Sequence, residues 1–77
     1  MKELKELQSL YKESSDEVKR EAWAIKGITG AYFRYIVSGK GTNSKPISSD
    51  LIFGALEALK KSYKNVADRN YKKAQKL

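Results

Sequence analysis

A chain of 77 residues, 40% hydrophobic and 32% charged with five glycines and one proline, has room for one small helical domain with a modest core. It contains neither cysteine nor histidine, which excludes disulfides, thiolate chemistry, zinc sites built on those ligands and histidine acid–base catalysis. The net charge of +7 is lopsided: residues 1–25 hold five basic and six acidic side chains, the remainder eleven and three.

That asymmetry points to a polyanionic partner, nucleic acid or an anionic surface. So short a chain rarely encloses a substrate, and no enzymatic activity, cofactor, metal or small-molecule substrate is expected. Met1 to Leu7 is charged and helical in pattern and lacks the apolar core of a signal peptide. No apolar run approaches the ~20 residues of a membrane span. A cytoplasmic protein without a membrane partner is the expectation.

Leu4, Leu7, Leu10 and Tyr11 repeat at helical spacing and predict a first amphipathic helix over residues 2–13. Ser14-Ser15-Asp16-Glu17 interrupts it, and Ser14 with Glu17 has the spacing of a capping box. A second helix is predicted from about Ser15 to Lys26. It buries Val18, Ala22 and Ile25 and pairs Asp16 with Arg20 at i, i+4. Trp23 falls off that stripe and is expected against the first or the last helix. Gly27 and Gly30 argue for a tight turn with positive φ at Gly27, and Thr29 caps a third helix over Gly30 to Ser38. That helix carries Phe33, Ile36 and Val37, with Tyr32 and Tyr35 expected as core and rim residues.

Residues 39–46 read as a loop. Its Gly39-Lys40-Gly41-Thr42 is not a phosphate-binding P-loop, because the positions that need glycine and a hydroxyl hold Arg34 and Gly41. Ser48 is the predicted cap of the last helix, with Ile47 and Ile52 as a hydrophobic staple and Asp50 in the first turn. Ile52, Leu56, Leu59, Tyr63 and Val66 carry that helix toward Lys76, opposite Lys60, Lys61, Lys64, Arg69, Lys72 and Lys73. The fold predicted is all-α, a compact bundle of four to five short helices forming one domain over residues 1–77.

From Ala22 to Leu56 the pattern resembles the helix-turn-helix domains of the lambda-repressor and Cro family. Ala22, Gly27, Ile28, Thr29, Phe33 and Ile36 stand, in order, for the small residue at the helix crossing, the turn glycine, the hydrophobic residue and hydroxyl after it, and the two anchors of the recognition helix. The spacing from Ala22 to Gly27 is one residue longer than usual, and Glu21 stands where an apolar residue is common. The resemblance implies a helix-turn-helix at about residues 15–38, followed by a basic helix at about 48–76.

It further implies a sequence-specific binder of double-stranded DNA, a small transcriptional regulator of phage or plasmid type. A recognition helix lies in the major groove with its N-terminal residues at base edges, so Thr29, Gly30, Ala31, Arg34, Tyr35 and Ser38 would face the DNA. Arg34 would read guanine, while Lys26, Lys40 and Lys45 would hold phosphates. The alternative is a helical protein-interaction module with a basic surface: an antirepressor, a host-enzyme inhibitor or a bacteriocin-immunity-like protein.

The four-and-three spacing of Ile52, Leu56, Leu59, Tyr63, Val66 and Asn70 is also the rhythm of a coiled-coil seam, with Asn70 at an a position. It predicts a homodimer through the C-terminal helix around Val66, Asn70 and Ala74, with Ile52 to Leu59 left to the protomer's own core. Lys72, Lys73 and Lys76 would repel their counterparts in such a pair.

Overall fold

Four α-helices form among the described residues, which are 2–42 and 44–75 of the computed structural model, and no strand occurs among them. They are α1 (Lys2–Glu13), α2 (Asp16–Lys26), α3 (Gly30–Ser38) and α4 (Ser49–Gln75). Asn43 of the expected loop, and Lys76 at the expected end of the last helix, lie outside the described residues.

The 27 residues of α4 form the spine of the bundle. At 1.5 Å per residue it is about 40 Å long, in a molecule that measures 53 × 23 × 17 Å. Its buried face is Ile52, Ala55, Leu56, Ala58, Leu59, Ser62 and Val66, and each of the three shorter helices packs against it. The shorter helices add Leu7 and Tyr11, Val18 and Ala22, and Phe33 and Ile36 to the same core. Tyr11 stacks on Phe33 with ring centroids 5.4 Å apart, and the Lys19 ammonium lies 4.9 Å from the centre of the Tyr11 ring.

Turn chemistry sets the helix ends. Gly27 closes α2 in the left-handed conformation at φ 74°, and its N–H donates to the Trp23 carbonyl at 2.8 Å. The Thr29 hydroxyl then accepts from Tyr32 N–H and opens α3. Gly39, at φ 69°, closes α3 in the same way, and the Ser48 hydroxyl accepts from Leu51 N–H at the start of α4.

The start of α2 differs from expectation. Ser15, not Ser14, is its N-cap and accepts from Val18 N–H at 3.3 Å. Ser14 turns inward: its hydroxyl donates to the Leu10 carbonyl at 2.7 Å and lies 3.1 Å from the Tyr63 hydroxyl. A buried polar partner on α4 therefore decides between two adjacent serines. Asp16 and Arg20 form no carboxylate pair; Arg20 Nε reaches only the Asp16 backbone carbonyl, at 3.4 Å.

Trp23 makes a contact beyond the expected ones, and one more expectation is corrected. Trp23 packs across the first residue of α3, close enough that a methyl group on Gly30 would come within 2.8 Å of its ring. Val66, assigned above to a second copy, is only 6% exposed and belongs to the protomer's own core. Ser62 is fully buried on the same face of α4, and its hydroxyl donates to the Val18 carbonyl at 2.5 Å. No helix among the described residues is long and apolar enough to cross a membrane.

Candidate nucleic-acid interface

α3 has nine residues and buries two of them, Phe33 and Ile36, both at 0% exposure. The helical period then places Ala31, Arg34, Tyr35 and Ser38 together on the opposite face, and all four are exposed. The helix is held at both ends. Trp23 covers Gly30 at its start. At its finish the Gln8 side-chain amide of α1 donates to the Val37 carbonyl at 3.0 Å and reaches the Ser38 carbonyl at 3.4 Å. Leu4 also lies against Gly39. An outward face on a helix anchored from behind is a preorganised surface, and only small rearrangement is needed to use it.

The expected site residues divide accordingly. Arg34 stands free on the outer face beside Ala31 and Tyr35. Thr29 is exposed, but its hydroxyl is engaged in capping Tyr32 N–H at 3.1 Å. The Ser38 hydroxyl donates to the Tyr35 carbonyl at 2.6 Å, so it serves the helix end before any ligand. Gly30 is half-buried under Trp23, and the close approach it permits is to that ring. Lys26 is turned toward α4, in a cleft with Ile25, Gly54, Glu57, Ala58 and Lys61, away from the α3 face. Lys40 and Lys45 are exposed in the loop after α3. Thr42 and Lys45 exchange backbone hydrogen bonds there, at 2.9 and 3.2 Å, which gives the loop a fixed shape.

Sequence reasoning missed three features. Tyr32 is 42% exposed and pairs with Tyr35, 37% exposed, at a centroid distance of 6.0 Å, so the outer side of α3 carries an aromatic pair. Nine residues bearing Tyr32, Phe33, Tyr35, Ile36 and Val37 have more apolar bulk than one buried face can take, which was a readable signal. Gln8 gave no signal, since nothing local links it to α3. Phe53, on α4, is 44% exposed.

The electrostatics are uneven too. From Ala22 to Ser49 the chain has no acidic side chain, against the four basic residues Lys26, Arg34, Lys40 and Lys45. Three of the six carboxylates of α1 and α2 pair with α4 instead. Glu6 pairs with Lys60 at 2.9 Å, and Arg69 bridges Glu17 at 3.3 Å and Glu21 at 3.1 Å. These exposed pairs add roughly 0–1 kcal/mol each, but they also remove Lys60 and Arg69 from the unpaired positive surface.

The chain matches no protein-family model, no curated protein and no solved structure. Among the described residues, no group of His, Cys, Asp or Glu side chains could hold a metal ion.

Proposed function

We propose that this chain is a sequence-specific regulator that binds double-stranded DNA through α3, with α2, the turn at 27–29 and α3 acting as a helix-turn-helix. One observation carries the reading: a short helix, anchored front and back, presents Arg34 outward from a stretch of chain that has no carboxylate. With its side chains an α-helix is about 10–12 Å across, a size that a major groove about 12 Å wide admits. Arg34 then reaches a guanine edge with two parallel hydrogen bonds, and the Ala31 methyl lies against the groove floor. Lys40 and Lys45 contact phosphates and set the register. Lys26 and Gly30 take no part, because α4 and Trp23 already occupy them.

The test is binding to random duplex and to a site enriched from random duplex, followed by fluorescence anisotropy. Arg34→Ala should reduce the ratio of specific to non-specific affinity about 5- to 150-fold, the equivalent of the roughly 1–3 kcal/mol of a bidentate base contact. A folded variant with an unchanged ratio places the wrong helix in the groove.

The exposed Tyr32–Tyr35 pair and Phe53 favour a second reading, a protein-interaction module of the antirepressor, host-enzyme-inhibitor or bacteriocin-immunity-like kind, since aromatic side chains dominate such interfaces. Absence of any duplex binding at about 50 mM salt, where non-specific phosphate contacts are strongest, selects it.

A further inference from the structure

We infer that the exposed face of α4 from Lys61 to Lys72 is a separate, sequence-independent phosphate-binding arm for duplex DNA, distinct from the α3 face. The inference rests on the DNA reading for its class of partner alone.

Beyond Val66 no side chain of the helix is buried: every residue from Ala67 to Gln75 is exposed, and Arg69 ties the segment back to α2 through Glu17 and Glu21. Nine residues with no buried side chain fall below the length at which an isolated helix is stable in water. This segment is therefore helical by extension from the core, and a partner that lies along it gains from a rod already formed.

Charge chooses the partner. Lys60 and Arg69 are neutralised by Glu6, Glu17 and Glu21, whereas Lys61, Lys64, Lys72 and Lys73 have no ion pair among the described residues. Lys61, Lys64, Tyr71 and Lys72 are separated by three, seven and one residues, which at 100° per residue confines them to an arc of about 100° on one face. Tyr71 is the most exposed of the large hydrophobic residues among the described residues, at 66%, and a phenol O–H donates well to a phosphate oxygen. From Lys61 to Lys72 the strip runs about 16 Å, over which a duplex presents on the order of ten phosphate charges.

Other partners fit the arm less well. A helix that lies on a membrane needs an apolar face, and the far side of this arm is Asn70, Lys73 and Ala74. A second copy would set Lys72 and Lys73 against themselves, with Val66 already buried. Asp68 is the one carboxylate that α4 itself places within the strip, and Glu21 of α2 lines the cleft beside Asp68 and Lys72; both oppose the phosphates of a bound duplex.

The experiment uses the intact protein and a fluorescent 20-base-pair random duplex, titrated between 50 and 200 mM salt. Neutralising three lysines (Lys61→Gln, Lys64→Gln, Lys72→Gln) should lower the slope of log affinity against log salt by about 2.7, or 0.9 for each contact. The intact protein should then lose about 40-fold more affinity than the variant over that fourfold range of salt. Asp68→Asn should raise affinity for random duplex. Glutamine keeps helix propensity close to that of lysine, and circular dichroism confirms that the variant is helical. An unchanged slope in a helical variant overturns the arm. So does failure of the intact protein to bind random duplex, or binding to phosphatidylserine vesicles in place of duplex. The two sites fail separately: Arg34→Ala reports on specificity, which this titration does not read, and the arm reports on a slope that α3 changes by about 0.9 at most.

Discussion

Gly39→Ala should be among the most damaging conservative changes in this protein. Gly39 closes α3 at φ 69°, and a methyl group added there would meet Leu4, with Cδ1 at 2.9 Å and Cδ2 nearer still. Gly27 supplies the control: it closes α2 at φ 74°, yet a methyl group there would meet nothing within 4 Å. Both substitutions force an L-residue into the left-handed region at about 1–2 kcal/mol, offset in part by roughly 0.4–1 kcal/mol from the stiffer unfolded chain. Gly27→Ala should therefore cost about 1 kcal/mol. Gly39→Ala adds overpacking of about 1–1.5 kcal/mol, the low end of the usual range because Leu4 is half-buried and can partly turn away. The sum is a large part of the roughly 4–11 kcal/mol expected of a chain this size. Urea titration followed by helical circular dichroism reads it as midpoint shifts of about 1 M and about 2 M, taking a slope near 1 kcal/mol/M. In a Leu4→Ala background the difference between the two glycine variants should disappear. A difference that survives there, or Gly39→Ala no worse than Gly27→Ala, refutes the claim that α1 sets the end of α3 through this contact.

Three further outcomes are expected. Ser62→Ala removes the buried hydrogen bond to the Val18 carbonyl and should cost about 0.5–1.5 kcal/mol in urea titration, with no effect on the salt dependence of DNA binding. Ending the chain after Asn70 should leave the unfolding free energy from urea titration within about 0.5 kcal/mol of the parent, since the described residues it removes, 71–75, are all exposed. Val66→Ala should cost about 1–2.5 kcal/mol, and equal effects from the two would contradict the placement of Val66 in the core.

Features decided within a few residues were legible from the chain alone. Gly27 and Thr29 around the turn, and Ser48 before α4, are each fixed by a backbone group at most four positions away. Features decided across the bundle were not. Ser14 and Ser15 are locally equivalent, and Tyr63, 49 positions from Ser14, separates their roles. A four-and-three stripe has one rhythm whether it meets a partner helix of its own chain or of a second copy, so Val66 could not be assigned before α2 was seen on it. Lys26 counted as a free cation until α4 stood beside it, and the basic residues of α4 could not be sorted into neutralised and unpaired before Glu6, Glu17 and Glu21 had positions. Of the candidate interface, the set Ala31, Arg34, Tyr35 and Ser38 was implied by the helix-turn-helix resemblance, and the helical period opposite Phe33 and Ile36 places the same four outward. The aromatic pair on its flank did not, because tyrosine is equally at home inside and out.

The spine has a bearing on how the chain is made. α1, α2 and α3 all lean on a helix that follows them in sequence, and the hydrogen-bonded pair of Ser14 and the Leu10 carbonyl is completed by Tyr63 of α4. During synthesis the first 48 residues emerge with their apolar faces uncovered, and no two of the short helices complete a core without α4. Folding therefore waits until the chain as far as Val66 is free to pack, which leaves the nascent N-terminal half open to chaperones and proteases until then.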